Sequence, residues 1–320
     1  AEGKRVWLGG NIGQPLLSMA GEMKAEDFAV VELSSFQLMT MSKAPHVAVV
    51  TNVTPNHLDV HKGMEEYVSA KENIFLGQGK GDLLVCNLDN DLSAAMAQKA
   101  PGKVRTFSRR EKVESGAWFE NDTIYYNGTP WITREDIRIP GLHNVENYMA
   151  AICAAADYIR PETALQVARQ FAGVEHRIEF VREVHGVKYY NDAIATSPAR
   201  AIAGLHSFDQ KLIVIAGGYD KKIPFDAYGE EACRHVKLLI LNGATAQKLR
   251  QAVENAPSYP GCGIKIAEKA TLEEAVQFAW EQAQEGDIVT LSPVCASFDA
   301  YPNFMTKGRA YKEMVSRLSE

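Results

Sequence analysis

Glu32, His57 and Lys71 are the residues whose types could do chemistry together: a carboxylate, an imidazole and an amine. The apolar run Val47-Ala48-Val49-Val50 is followed by the turn-rich stretch NVTPNHLDVHKG, a pattern that predicts a buried parallel strand. Ligands of open α/β sheets collect at the carboxyl ends of such strands, which places His57 well for chemistry. A helix predicted from about Gly63 to Phe75 puts Met64, Tyr67, Val68, Ile74 and Phe75 on one face by their three- and four-residue spacing, and Lys71 falls on that face. A lysine in an apolar stripe has two readings. It packs its stem and sends its ammonium to water, or burial favours the neutral amine. Only a neutral amine captures carbon dioxide as a carbamate, an oxygen ligand suited to magnesium. Upstream, FAVVEL at 28–33 predicts another buried strand with Glu32 at its carboxyl end, where a carboxylate is costly unless paired or metal-bound. Ser34 and Ser35 follow it and can cap the next helix.

The second half of the chain carries further candidates. Asn144 and Asn147 lie three apart in the first turn of the helix predicted in IPGLHNVENYMAAICAAADYI, so both could face one ligand or merely cap that helix. The planar fork of Arg177 suits phosphate oxygens, a structural ion pair being the ordinary alternative. In YYNDAIATSP, Asp192 could bind a ribose and Thr196 a carboxylate, or Thr196 could cap the helix that begins at Pro198. The glycines of IAGGYDKKIPF free a loop to approach a ligand near Lys221. LSPVCASFDAYPNFMTKG offers a Ser-Cys cluster without a histidine partner in the motif, and a serine capping the last helix is the simpler account of it.

Composition sets the class. The 320 residues suffice for two domains, and 46% hydrophobic with 23% charged residues is ordinary for a soluble globular protein. A net charge of -6 gives no reason to expect nucleic acid or an anionic membrane as partner, and neither a transmembrane run nor a secretory leader is visible. Cys86, Cys153, Cys233, Cys262 and Cys295 show no close-paired zinc spacing and are odd in number, so free thiols in a reducing cytoplasm are expected.

The elements that must position these residues alternate. A strand is predicted at Leu83–Cys86, an antiparallel hairpin region over 104–139 with turns at 120–122 and Asn127-Gly128, and a domain boundary near Gly173–Arg177. Beyond it come a hairpin turning at His185-Gly186, strands at 212–216, 238–241 and 288–291, and helices around 198–208, 226–235, 244–255 and 272–285. The predicted fold is α/β with two doubly wound domains, 1–175 with an antiparallel appendage to a mostly parallel sheet, and 176–320. Neither G-x-x-x-x-G-K-[ST] nor G-x-G-x-x-G occurs, the latter arguing against a nicotinamide dehydrogenase.

VVELSSFQL, TNVTPNHLD and YVSAK resemble, in order and spacing, the central domain of the Mur ligases, ATP-dependent amino-acid-adding enzymes of peptidoglycan synthesis. The resemblance implies magnesium on Glu32 and His57, a carbamylated Lys71, and Ser34 beside the substrate. It makes Asn11, in the turn Gly9-Gly10-Asn11, a contact for the nucleotide-sugar substrate, and gives Asn144 and Asn147 the adenine side of ATP. It puts Arg177 near the ATP phosphates, and Thr196 and Lys221 near the incoming amino acid's carboxylates. SPxCASFD followed by NF and Lys-Gly resembles the branch that adds D-glutamate, whereas the DNPR-type signature of the diaminopimelate-adding branch is absent. Ser297 and Phe304 would then hold and flank D-glutamate. The stretch after Asp192 departs from that branch, with Ile194 where a lysine is common. The implied architecture is a P-loop-type central domain, here truncated, and a Rossmann-like amino-acid-binding domain. The implied partners are ATP, Mg2+, UDP-N-acetylmuramoyl-L-alanine and D-glutamate, in a cytoplasmic monomer. Since the P-loop and uridine-binding domain would precede Ala1, an inactive or impaired fragment is expected. Another Mur-type or folylpolyglutamate-type ligase, or a non-catalytic binding module, are the alternatives.

Overall fold

The computed structural model describes residues 2–11, 13–54, 61–221 and 223–319. His57 lies outside the described residues. The chain divides into two compact units, Ala1–Ile137 with His143–Gln170, and Arg138–Leu142 with Phe171–Glu320.

In the first unit, β1 (Val6–Gly10) and β2 (Phe28–Glu32) pair in parallel as a sheet of their own. This corrects the expectation of a buried strand at FAVVEL within one central sheet. β2 finds no second neighbour among the described residues, so Val30 and Val31 remain 52% and 42% exposed. Ser34 and Gln37 form a reciprocal capping box that starts the short α1 (Ser35–Leu38). β3 (Val47–Val50), α2 (Met64–Leu76), β4 (Leu83–Asn87), α3 (Asp91–Ala97), β5 (Lys103–Ser108), β6 (Gly116–Glu120), β7 (Thr123–Tyr126) and β8 (Thr129–Thr133) follow, and their sheet runs β3-β4-β5-β6-β7-β8.

The strands from β3 to β6 are mutually parallel, and only β6-β7-β8 is antiparallel. The expected hairpin region over 104–139 is therefore shorter, because β5 extends the parallel sheet. Its two turns carry positive φ at Asn121, Asp122, Asn127 and Gly128, the conformation that a two-residue hairpin loop demands. Ala48, Val50, Tyr67, Phe75, Leu84, Cys86 and Met96 pack α2 and α3 onto the sheet. α4 (Leu142–Ala155) and α5 (Pro161–Gln170) complete the unit.

The second unit begins with the hairpin β9 (Glu179–Val184) and β10 (Val187–Asn191), then α6 (Pro198–Leu205), β11 (Leu212–Ala216), α7 (Asp226–His235), β12 (Val236–Leu241), α8 (Ala246–Glu254), the turn-like α9 (Tyr259–Cys262), β13 (Lys265–Glu268), α10 (Leu272–Gln282), β14 (Ile288–Leu291) and α11 (Phe304–Ser316). The sheet order is β13-β12-β11-β14-β10-β9, parallel except for β9. From β11 the chain winds outward through β12 and β13, then returns to place β14 on the other side of β11. Every residue of β11 is buried, as a strand covered on both faces requires. β13 is half exposed at the sheet edge, which is why its weak apolar signal went unread.

The five cysteines are free, four of them buried. Among the described residues no helix is long and apolar enough to cross a membrane.

Candidate functional site

The reversal of strand order between β11 and β14 leaves a crevice at their carboxyl ends, where neighbouring loops must part. Thr196, Pro198, Tyr219, Lys221, Ile223, Phe225, Val294 and Cys295 line it, drawn from the loops after β10, β11 and β14. The Lys221 ammonium donates to the Thr196 carbonyl at 3.1 Å and lies 3.5 Å from its hydroxyl, so the structure brings these two predicted residues together. Ser197, not Thr196, precedes α6 as its N-cap, leaving the threonine hydroxyl to the cleft.

The loop carrying Lys221 is held by backbone that only glycine tolerates. A Cβ on Gly217, with φ +122, would sit 1.8 Å from the Asn242 carbonyl oxygen, and one on Gly218 would sit 2.1 Å from that of Ala296. Thr245 clamps the loop by accepting from the Gly218 N–H and donating to the Gly218 carbonyl, both at 3.0 Å. Lys307 is a residue the sequence reading named only as part of a Lys-Gly pair. It is buried, and its ammonium donates to the Gly217 carbonyl at 2.8 Å. Burial lowers its pKa, with Asp299 and Cys295 acting the other way. Val294, a β-branched residue at φ +64, stores strain in the cleft wall.

Ser297 is buried with a hydroxyl that has no partner among the described residues, and it does not cap α11; Asn303 does, accepting from the Thr306 N–H. An unpartnered buried hydroxyl costs about 1–3 kcal/mol, which a ligand could recover. Phe304, the first residue of α11, sits edge-on to His176 at 5.9 Å and does not line the cleft. Arg177 is exposed and its charge reaches Asp192. Asp192 is buried, its carboxylate accepting from the Ile178 N–H at 3.3 Å. Burial pushes its pKa up to about 7 against the pull of Ile178, Arg177 and Arg200. Its carboxyl is enclosed, so in this structure it is closed to a ligand.

The first unit holds the remaining candidates in separate groups. Asn11 donates to the Glu32 carboxylate at 3.1 Å, and its N–H to the Glu32 carbonyl at 2.8 Å. Glu32 is exposed, not the desolvated carboxylate expected of a core strand. Ser34 spends its hydroxyl on Gln37. Lys71 is half-buried with its ammonium 4.9 Å from the centre of the Tyr67 ring, a cation–π contact. Tyr67 in turn meets His61, whose ring stacks on Phe36 and shares a 2.9 Å hydrogen bond with Ser35. His61, buried and four residues after His57, escaped the sequence reading; its spacing from His57 was the available signal. Among the described residues no hydrogen bond or ion pair joins Glu32 to Lys71. Asn147 donates to the Asn144 side chain at 3.1 Å, so the two share one face of α4 as predicted.

The family model described as Mur ligase middle domain matches residues 8–155, and that described as Mur ligase, glutamate ligase domain matches 176–295. A protein of Clostridium botulinum (strain Alaska E43 / Type E3) named UDP-N-acetylmuramoylalanine--D-glutamate ligase is 50% identical over 317 residues, covering 99% of this chain and 69% of the relative. One of the same name from Clostridium kluyveri is 50% identical over 315 residues, 98% of this chain and 69% of its own length. Among solved structures, a pseudomurein peptide ligase type C from Methanothermus fervidus superposes with a TM-score of 0.64 at 15% identity, covering 100% of this chain and 80% of that one. A UDP-N-acetylmuramate-alanine ligase from Thermotoga maritima gives 0.63 at 14%, covering 98% and 76%. These two likenesses speak to the fold, while the relatives that are half identical speak to the family.

Proposed function

The chain belongs to the Mur ligase family, and we propose that it is an ATP-dependent, ADP-forming ligase that joins D-glutamate to UDP-N-acetylmuramoyl-L-alanine. The observation that carries this reading is the ammonium of Lys221 beside Thr196 in a cleft at the strand-order reversal, in a chain half identical to relatives named for that reaction.

In the proposed reaction ATP phosphorylates the L-alanine carboxylate, giving ADP and an acyl phosphate. The D-glutamate amine, having lost a proton, attacks the acyl carbon; the new C–N bond forms, the C–O bond to phosphate breaks, and inorganic phosphate leaves. Lys221 exchanges the Thr196 carbonyl for the side-chain carboxylate of D-glutamate, a stronger charge-assisted partner. Thr196 and the Ser297 hydroxyl, which has no partner among the described residues, supply neutral donors. Asn144, Asn147, Arg177 and Asp192 serve ATP, while Asn11 and Ser34 serve the nucleotide sugar. The exposed Glu32 carboxylate, whose side-chain partner among the described residues is the neutral Asn11 amide, fits magnesium as a hard oxygen donor. It would hold that ion with His57 and a carbamylated Lys71. Magnesium, when bound, offsets charge on the phosphoryl group. Residues 1–175 would thus form the ATP- and metal-binding domain and 176–320 the amino-acid-binding domain of a cytoplasmic monomer.

The test is twofold. Calorimetric titration of this chain should show D-glutamate binding that L-glutamate and meso-diaminopimelate do not reproduce. Phosphate release from ATP with UDP-N-acetylmuramoyl-L-alanine, measured on this chain and on one extended to the full length of its relatives, should depend on D-glutamate. Preference for another amino acid would reassign the branch; an extended chain that binds substrates without releasing phosphate would leave a binding module.

A further inference from the structure

α6 and α7 both start at the cleft, where Pro198 and Phe225 line it, and both end together at the far side of the second unit. At about 1.5 Å per residue those ends lie roughly 12–15 Å from the cleft. His206 caps α6, while Glu231 and His235 stand one turn apart on α7 and so share a face of that helix. The His206 Nε2 lies 2.6 Å from the Glu231 Oε2, and the His235 Nε2 lies 3.5 Å from the same oxygen. The two imidazoles are 4.8 Å apart between centroids, tilted by 51°. One ligand atom from each residue falls within 4.8 Å of the other two.

We infer that His206, Glu231 and His235 form a binding site for a divalent transition metal, zinc being the best match, that clamps the ends of α6 and α7 together. Two imidazoles and a carboxylate are a donor set that zinc takes with an open fourth position, which water would fill beside the half-exposed His206 ring. Tetrahedral bonds of about 2.0–2.2 Å put ligand atoms roughly 3.3 Å apart, so the His206–Glu231 pair need open by only about 0.7 Å. The hydrogen bond from His206 lowers the Glu231 pKa, and burial and the neighbouring His206 lower that of His235. Arg234 binds the other Glu231 oxygen at 3.0 Å, which aims Oε2 at the imidazoles while its charge, like that of Lys211, opposes a dication.

A second cluster, Glu175, His176 and Glu179, differs in kind. The Lys312 ammonium already bridges both of its carboxylates and takes the place a cation would need.

The experiment uses the metal-stripped chain titrated with Co2+ and then Zn2+. One cobalt should bind per chain with the visible absorption of a low-coordinate site, and zinc should displace it and raise the unfolding temperature. His206→Ala and His235→Ala should each weaken binding by about tenfold or more, with an unchanged circular dichroism spectrum, and together abolish the thermal shift. Competing donors are the thiols of Cys233 and Cys262, whose backbone carbonyls share the Lys211 ammonium. Absence of cobalt binding, or binding that survives both histidine variants but is lost in Cys262→Ser, would overturn the assignment.

Discussion

Replacing Asp192 by Asn should stabilise the second unit at neutral and alkaline pH and leave it unchanged in acid. Asp192 is 5% exposed, and burial raises its pKa from 3.8 to about 7. A carboxyl whose folded pKa exceeds its unfolded one contributes stability that is fully present below pH 3.8 and lost as the pH climbs through about 7, because the folded state holds the proton longer. At about 1.4 kcal/mol per pKa unit, the gap between those values amounts to about 4 kcal/mol above neutrality. Asparagine keeps an oxygen to accept from the Ile178 N–H and removes the charge. Urea denaturation between pH 4 and pH 8, with hydrogen exchange of the β10 and β14 peptides reading the second unit alone, should show the variant gaining up to about 4 kcal/mol at pH 8 and converging with the parent at pH 4. A difference independent of pH, or a parent more stable at pH 8, would refute the reasoning. It would mean that Ile178, Arg177 and Arg200 outweigh desolvation and hold the carboxylate ionised.

Gly217→Ala should cost on the order of 3 kcal/mol in the same denaturation assay, because its Cβ would meet the Asn242 carbonyl at 1.8 Å in a backbone conformation that alanine resists. Lys221→Met should weaken D-glutamate binding by about 2–3 kcal/mol, roughly thirty- to 150-fold by calorimetry, while leaving the unfolding midpoint in place; full affinity in the variant would remove Lys221 from the site. Lys71→Ala should abolish D-glutamate-dependent phosphate release in the extended chain and regain part of it with added short carboxylic acids, which replace a carbamate's oxygens. Unchanged turnover would sink the carbamate.

The parts of the fold that were legible are those governed by local rules. β11 reads as LIVIA because both faces are covered, and His185-Gly186 and Asn127-Gly128 announce hairpins because few residues adopt positive φ cheaply. What could not be read depends on partners distant in sequence. FAVVEL has the pattern of a buried strand, yet burial requires neighbours, and among the described residues β2 pairs with β1 alone. The spacing that set Asn144 beside Asn147 is fixed by one helix, so their contact was foreseeable. Thr196 and Lys221 are 25 positions apart and meet between loops that follow two different strands of the sheet, β10 and β11, which no spacing reveals. Lys307 was missed for the same reason, since it acts through Gly217, 90 positions away, and the hydrogen bond that fixes His61 comes from Ser35, 26 positions away.

The two lysines at the second unit's cleft illustrate how the same side chain divides into two tasks. Lys221 is exposed and held by a single carbonyl and a hydroxyl, so exchanging them for a carboxylate replaces a weak solvent-screened bond by a charge-assisted one. Lys307 is buried, and removing its ammonium from the Gly217 carbonyl would leave both groups without water to replace the bond. The first can trade partners during a reaction cycle; the second fixes the loop from which the first is presented. Val294 holds strained backbone beside them, and Asp192 holds a proton that its unfolded form would lose. A ligand that satisfies the Ser297 hydroxyl and recruits Lys221 would recover the cost of a buried group left without a partner among the described residues and gain a charge-assisted bond.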